Sequence, residues 1–131
     1  MKYLLDTVVW LWSVGAIEKI NREALAILEN GDQELYFSAA SAWEIGIKTR
    51  LGKYRLPEAP GRYLRKRLAA QGIRSLPVSQ SHALRVYDLP LHHHDPFDRL
   101  LVAQALEEEM VILTADRAFE LYPVDMIWSG K

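Results

Sequence analysis

The sequence contains no cysteine among its 131 residues. Disulfides, zinc sites with thiolate ligands and cysteine nucleophiles are therefore excluded. Long hydrophobic runs are also missing, because Asp6 interrupts the apolar segment at the N-terminus and what remains is too short to span a bilayer. No cleavage site of the signal-peptide type follows that segment. These absences predict a cytoplasmic protein that does not enter membranes.

Two common catalytic motifs are missing as well. The chain has neither a glycine-rich phosphate-binding loop nor the G-x-S-x-G turn of a serine hydrolase. What is present is an ordinary globular composition, with 50% hydrophobic and 25% charged residues, which excludes a fibrous or disordered chain. The length suits one hydrophobic core. We therefore expect a single domain over residues 1–131.

Short apolar segments alternate with helical segments along the chain. An apolar run that ends in a polar residue, such as YLLD at 3–6, is typical of a buried parallel strand. Strands are expected at 3–6, 34–38, 110–116 and 126–128, with an extended segment at 73–79. Helices are expected from Thr7, after Asn21, and at 39–53, 57–72, 79–89 and 97–109. This alternation predicts an α/β fold with a mainly parallel central sheet.

Four acidic residues follow or flank the predicted strands. Asp6 ends the first strand, Asp116 lies two residues beyond the strand VILT, and Glu44 lies on the helix after the second strand. Asp98 lies in the first turn of the helix that precedes the last clear strand. Since the sites of open α/β sheets form at the carboxyl ends of their strands, we expect these four acids to converge there.

Each acid also has a purely structural explanation. Asp6 and Asp116 can cap the helices that follow them, and Glu44 can pair with Lys48 four residues later. Asp98 falls at the third position of a helix whose expected N-cap is Asp95, as in a capping box. An unpaired buried carboxylate is costly, however, and several together repel one another unless a cation joins them. Oxygen ligands without thiolates favour Mg²⁺ or Mn²⁺.

Three consecutive histidines, His92, His93 and His94, precede the helix that holds Asp98. Three adjacent side chains on a regular backbone do not easily point at one ion, and the sequence has no i,i+4 histidine pair of the metalloprotease type. We therefore favour an exposed loop over a zinc site. The Asp95-Pro96 pair that follows is a typical helix start.

Positive charge is concentrated in one part of the chain. Residues 48–74 hold nine of the sixteen Lys and Arg residues and one of the seventeen acidic residues, although the whole chain has a net charge of −1. A basic segment near an acidic site suits a polyanion, whereas the alternative is a solvated helix face. The candidates for polyanion contact are Lys48, Arg50, Arg62, Arg65 and Lys66.

Four segments, taken together and in order, carry a family resemblance. YLLDT, SAASAWEIGIK, HDPFDRLLVAQA and LTAD resemble the PIN-domain ribonucleases, and in particular the VapC toxins of toxin–antitoxin pairs. The resemblance implies an α/β/α sandwich and a divalent-metal-dependent endoribonuclease that uses Mg²⁺ or Mn²⁺. By match to the family, the catalytic and metal-binding acids are Asp6, Glu44, Asp98 and Asp116, and the supporting hydroxyl residues are Thr7 and Thr114.

The same resemblance implies partners. VapC-like proteins cut RNA, form homodimers and are inhibited by a small VapB-like antitoxin whose peptide occupies an apolar groove near the site. Trp10, Trp12 and Trp43 are candidates for that groove, and core packing is the favoured alternative for at least two of them. Val8 and His94 depart from the residues that relatives often have, which affects substrate detail more than chemistry. The competing hypothesis is a catalytically inactive PIN-fold module that only binds a partner protein.

Overall fold

The computed structural model describes residues 1–92 and 95–131. Its centre is a five-stranded sheet in which every pairing is parallel, and the order across the sheet is β3-β2-β1-β4-β5. The strands are β1 (Lys2–Leu5), β2 (Glu34–Ser38), β3 (Arg74–Leu76), β4 (Val111–Thr114) and β5 (Met126–Trp128). The predicted α/β fold with a parallel sheet is therefore confirmed.

In the described ranges, six α-helices connect the strands. They are α1 (Thr7–Gly15), α2 (Arg22–Glu29), α3 (Ala39–Arg50), α4 (Pro60–Gln71), α5 (Gln80–Arg85) and α6 (Pro96–Glu108). Gly72 ends α4 with a left-handed φ of 68°, a conformation that glycine adopts without a steric penalty. Within the described ranges, no helix has the length and apolar character needed to cross a membrane.

The helix predicted at 79–89 begins where expected but ends earlier than predicted. Ser79 caps α5 by accepting a hydrogen bond from His82 N, and the His82 side chain accepts from Ser79 N. The segment Val86–Asp88 then tightens into a 3₁₀ turn. Similarly, α4 begins at Pro60 rather than at residue 57, since proline suits the first turn of a helix and disfavours a helical residue before it.

Two hydrophobic clusters cover the two faces of the sheet. On one face, Trp10 of α1 and Leu64 of α4 pack with Phe37 of β2. On the other face, Leu101 of α6 packs with Leu4 of β1 and Ile112 of β4. Helices on both faces of a parallel sheet form the α/β/α sandwich that the resemblance implies.

The tryptophans correct one expectation. Core packing is expected for at least two of Trp10, Trp12 and Trp43. All three lie in described segments, and of these three only Trp10 is fully buried. Trp12 is half-buried, and Trp43 is 64% exposed on α3. Helical periodicity predicts one stripe of Ala40, Trp43, Ile47 and Leu51. Ala40 is buried, but the rest of the stripe faces outward because α3 uses Ile45 to contact the core.

The strand order fixes where a site can form. From β1 the chain moves to β2 on one side, and it later returns to β4 on the other side. The crevice between the connections that leave β1 and β4 is a topological switch point, where ligands bind in open α/β sheets. Asp6 directly follows β1, and Asp116 lies two residues beyond β4. Both acids therefore lie at this crevice.

Candidate active site

A cleft of about 220 Å³ opens at the carboxyl edge of the sheet. All four acids singled out from the sequence line it, although they come from four separate segments. The lining residues are Asp6, Thr7, Val8, Trp12, Glu44, Lys48, Tyr54, Asp95, Asp98, Ala115 and Asp116.

Asp6 directly follows β1 and is almost fully enclosed. It is 4% exposed, and its Oδ2 accepts a 2.8 Å hydrogen bond from the Thr114 hydroxyl. It occupies the N-cap position of α1 but makes no side-chain cap, so capping does not explain its presence. Burial raises the pKa of Asp6 to about 6, repulsion by Glu44 and Asp116 adds to the effect, and the bond from Thr114 opposes it.

Glu44 is held from two sides. Its Oε1 accepts a 2.8 Å hydrogen bond from the Thr7 hydroxyl, and its Oε2 lies 2.6 Å from Lys48 Nζ. The Thr7 oxygen is also 2.8 Å from Ser41 Oγ. Because the single Thr7 proton is directed at Glu44, Ser41 supplies the proton of this second contact. The predicted i,i+4 pair with Lys48 is confirmed, yet it forms inside the cleft rather than on the surface.

Asp98 lies in the first turn of α6, and its N-terminal neighbour Asp95 does the capping. Asp95 Oδ1 accepts from the backbone N–H groups of Phe97 and Asp98 at 2.9 and 3.4 Å, which confirms the predicted N-cap. The Asp98 side chain lines the cleft. Burial, followed by repulsion from Asp6, Asp95, Glu44 and Asp116, raises the pKa of Asp98 to about 8.

Asp116 reaches the cleft from the turn after β4. It caps the 3₁₀ helix Arg117–Leu121 by accepting from Ala118 N at 2.9 Å. The Thr114 oxygen accepts from Asp116 N at 3.0 Å while its proton goes to Asp6. One hydroxyl therefore fixes both the Asp6 carboxylate and the turn that presents Asp116.

The donor set suits a hard divalent cation. The cleft offers carboxylate and hydroxyl oxygens and no sulfur. Burial, with repulsion between the acids as a smaller cause, raises the pKa values of Asp6 and Asp98, and a bound cation would relieve both effects. Within residues 1–92 and 95–131, no three His, Asp or Glu side chains are grouped as in a formed metal cage.

The five basic candidates, all of which the structure describes, divide into two groups. Lys48 lines the cleft, where its ammonium group lies 5.6 Å from the centre of the Tyr54 ring. The hydrogen bond to Glu44 raises the pKa of Lys48, so the amine stays charged. The other four lie outside the cleft and are exposed: Arg50 at the end of α3, and Arg62, Arg65 and Lys66 on α4.

Several lining residues are not identifiable from the sequence. Tyr54 has no motif that would distinguish it from other polar residues of a loop, and the same holds for Ser41, which contacts Thr7 behind the cleft lining. Asp95 is recognised from the sequence only as the N-cap of α6. The structure shows that it also lines the cleft with the four acids. The sequence suggests Trp12 only for a protein-binding groove, yet it lines the cleft.

The histidine run is only partly described. His93 and His94 lie outside the described residues, so the loop predicted there is not tested. His92 is exposed, and its ring centre lies 5.6 Å from that of Tyr122. It does not line the acidic cleft.

Comparison with known proteins gives one curated relative and several similar structures. The sequence is 39% identical over 67 residues to Ribonuclease VapC16 of Mycobacterium tuberculosis (strain ATCC 25618 / H37Rv), covering 51% of this chain and 47% of that protein. The match thus spans about half the length of the curated relative. The fold is similar to that in a crystal structure of VapBC2 from Rickettsia felis bound to a DNA fragment from their promoter, with a TM-score of 0.74, 15% identity and coverage of 98% and 99% of the two chains.

Two further structures share the fold. One is FitAcB from Neisseria gonorrhoeae, with a TM-score of 0.64, 22% identity and 96% of each chain covered. The other is DNA-bound VapBC from Salmonella typhimurium, with a TM-score of 0.67, 17% identity and 97% of each chain covered. The sequence pattern of the PIN domain matches residues 3–124, which is most of the chain. Together with the parallel sheet and the acidic cleft at its carboxyl edge, this match shows that the chain belongs to the PIN domain family.

Proposed function

We propose that this chain is a divalent-metal-dependent endoribonuclease and the toxin of a VapBC-type toxin–antitoxin pair, acting as one PIN-like domain over residues 1–131. The observation that supports it most is the convergence of Asp6, Glu44, Asp98 and Asp116 on one cleft, two of them with strongly raised pKa values. A group of carboxylates that repel each other is expensive to maintain unless it serves to bind a cation. The relative called Ribonuclease VapC16 supports the choice of RNA.

The acids have separate roles in this proposal. Asp6 and Asp98 would be the main ligands of Mg²⁺ or Mn²⁺, and Glu44 and Asp116 would bind the ion directly or through water. When bound, the ion supplies a water of lowered pKa and neutralises charge on the phosphate oxygens. Thr7 and Thr114 hold Glu44 and Asp6 in fixed orientations through 2.8 Å hydrogen bonds, which reduces the reorganisation needed for binding.

Lys48 is the basic candidate with the strongest structural support. Its ammonium lies within the cleft beside Glu44, so it is within reach of a phosphate that enters the acidic site. Arg65 of α4 lines a neighbouring groove with Ser38 and Ala39 at the start of α3. Arg62 and Lys66 do not line this groove but are exposed on the same helix, so the three bases suit contacts with the RNA backbone farther from the cleaved bond.

The partners follow from the same family proposal. A VapB-like antitoxin would inhibit the enzyme, and two copies of the chain would form a homodimer. The dimer is supported by the exposed apolar stripe on α3, where Trp43, Ile47 and Leu51 are 64%, 36% and 65% exposed. Trp43 also packs edge-on against Phe97 of α6 at 5.3 Å between ring centres, so the stripe extends onto a second helix. Light scattering on wild-type protein and on a Trp43→Lys variant tests this assignment.

The experiment that tests the activity is cleavage of labelled RNA in Mg²⁺, in Mn²⁺ and in EDTA. We expect cleavage with either ion and none in EDTA. Asp6→Asn should lower the rate by about a thousandfold, as expected when an essential ligand is removed. Asp32→Asn is the matched control, because Asp32 is exposed and precedes β2 at the opposite edge of the sheet. No cleavage by the wild type in either metal would favour the inactive protein-binding module, whereas full activity of Asp6→Asn would show that Asp6 is not an essential ligand.

A further inference from the structure

A second pocket adjoins the acidic cleft. It encloses about 360 Å³ between α1, the 3₁₀ turn at Ile17–Lys19 and the end of β5. Its walls include Trp12, Lys19, Ala115, Trp128 and Gly130, and we call it the tryptophan pocket. Trp12 and Ala115 also line the acidic cleft, so the two spaces share a wall. The tryptophan pocket therefore lies directly beside the acidic cleft.

The two indoles each have a cation beside them. The Arg117 guanidinium stacks 3.8 Å from the centre of the Trp128 ring, and Lys19 Nζ lies 5.9 Å from the centre of the Trp12 ring. Arg117 does not line the pocket, so the pocket is bounded by a part of the Trp128 ring that the guanidinium does not cover. Aromatic faces flanked by cations match a ligand that has both flat rings and negative charge.

Gly130 lines the pocket and has no side chain to fill it. A Cβ at this position would lie 3.3 Å from Ala115 Cβ and 3.4 Å from Cζ2 of Trp128. Any larger residue at position 130 would therefore crowd the Trp128 indole and the residue that precedes Asp116. One acidic side chain, that of Glu18, also lines the pocket.

We propose that the tryptophan pocket binds a nucleobase of single-stranded RNA next to the cleaved phosphodiester, stacked on the indole of Trp128. The inference rests on the ribonuclease activity proposed above and specifies its substrate as unpaired RNA. In a duplex the bases are stacked on one another, whereas an unpaired base can turn outward onto an aromatic side chain. A cation held by the acids would bind the reacting phosphate, and the cations beside the indoles attract the flanking backbone. Trp128 supplies an uncharged platform that accepts any base.

Binding is tested without cleavage by titrating a short labelled single-stranded RNA in EDTA. We expect Trp128→Leu to weaken binding about tenfold and Trp128→Phe to stay within about threefold of the wild type, because phenylalanine still stacks. Tyr87→Leu is the control, since Tyr87 is 92% exposed, lies on the turn after α5 and lines neither the cleft nor the pocket. The same strand in a duplex should bind all these proteins weakly and alike.

A second measurement leaves the protein unchanged, so it does not depend on how Trp128→Leu folds. An RNA with one abasic nucleotide beside the cleavage position should bind the wild type about tenfold more weakly than the intact strand. Trp128→Leu should bind the abasic and intact strands equally, because the stacking partner is already missing. In Mg²⁺ the intact strand should show a KM raised about tenfold by Trp128→Leu, with kcat within about threefold.

Three results would overturn the proposal in distinguishable ways. If the wild type cleaves RNA but Trp128→Leu and the abasic strand leave affinity unchanged, the pocket is not a base site and the activity still stands. If Trp128→Leu instead weakens only the complex with a co-expressed antitoxin, the pocket is a protein contact. If the wild type neither binds nor cleaves RNA, the proposed function has failed and the base site with it.

Discussion

The hydroxyl of Thr7 donates a 2.8 Å hydrogen bond to Glu44 Oε1, although the two residues are 37 positions apart in the sequence. Thr7 begins α1 and Glu44 lies in the middle of α3, so the bond joins the first helix to the third across the cleft. With Lys48 on the other carboxylate oxygen, Glu44 is held at both of its oxygens. Thr7 is therefore a positioning residue for an acid of the proposed metal site.

Replacing Thr7 tests this role. Thr7→Val should lower metal-dependent cleavage about tenfold to a hundredfold, because Glu44 loses a fixed orientation and a buried carboxylate oxygen loses its donor. Thr7→Ser keeps the hydroxyl and should remain within about threefold of the wild type. Rates of RNA cleavage, together with the apparent affinity for Mn²⁺, provide the measurement. Equal activity of the valine and serine variants would show that the bond to Glu44 is dispensable.

Removal of Asp98 separates a catalytic role from a structural one. Asp98→Asn should reduce cleavage by about a thousandfold, while thermal unfolding in EDTA should occur at the same temperature or higher, since one member of a repelling group is gone. Asp95→Asn is the comparison, because asparagine also caps helices and should preserve folding. An Asp98→Asn protein that unfolds early but retains its specific activity would assign Asp98 to the start of α6 alone.

Stability without metal should depend on pH in an unusual direction. The pKa values of Asp6 and Asp98 are raised to about 6 and about 8 in the folded chain, whereas both are about 3.9 when unfolded. The folded chain therefore holds more protons at intermediate pH, and the free energy of unfolding falls as pH rises from about 4 through about 8. Each such group contributes a slope of at most about 1.4 kcal/mol per pH unit.

Urea unfolding in EDTA across this pH range measures the slope. Asp98→Asn should flatten the upper part of the curve, above about pH 6, where Asp98 is the group that still titrates. Saturating Mg²⁺ should stabilise the wild type more at high pH than at low pH, because protons and the ion compete for the same carboxylates. Stability that is constant or rises over this interval would contradict the raised pKa values.

The exposed bases of α4 should act on affinity rather than chemistry. Replacing Arg62, Arg65 and Lys66 with Gln should weaken binding to many RNAs alike. The slope of log affinity against log salt should fall by roughly 0.7 for each phosphate of a single strand that these side chains neutralise. Cleavage at saturating RNA should change little, because these side chains do not line the cleft. Lys66 pairs with Glu58, so its share should be the smallest.

A matched control is Arg85→Gln on α5, which packs on the opposite face of the sheet and pairs with Glu107. That change should leave both the affinity and the salt slope unaltered. If the triple variant behaves like Arg85→Gln, the α4 bases form a solvated face and the RNA backbone takes another path.

The histidine run is expected to be unimportant for metal chemistry. Replacing His92, His93 and His94 together with Gln should leave Mg²⁺-dependent cleavage within about tenfold, or roughly 1.4 kcal/mol of barrier. Elemental analysis of the purified wild type and of this variant supplies the second readout. A stoichiometric zinc ion that disappears on replacement would establish a histidine site instead.

The sequence by itself determined the fold class and the neighbourhood of the site. Apolar runs that end in polar residues specify buried parallel strands, and parallel strands bring their carboxyl ends to one edge. Asp6 and Asp116 were therefore expected at the same edge of the sheet, although their closeness depends on the pairing of β1 with β4. Local capping chemistry was equally readable, since an N-cap such as Asp95 or Ser79 depends on residues within three positions.

Only the tertiary structure decided which groups hold each acid. The bond from Thr114 to Asp6 spans 108 positions and exists because β4 pairs with β1, and the hold of Thr7 on Glu44 exists because α1 packs beside α3. Helical periodicity put Trp43 on an apolar stripe but did not say which way the stripe faces, since that depends on the partners of α3. The joining of the acidic cleft to the tryptophan pocket likewise depends on β5 lying beside β4, a pairing that no local pattern encodes.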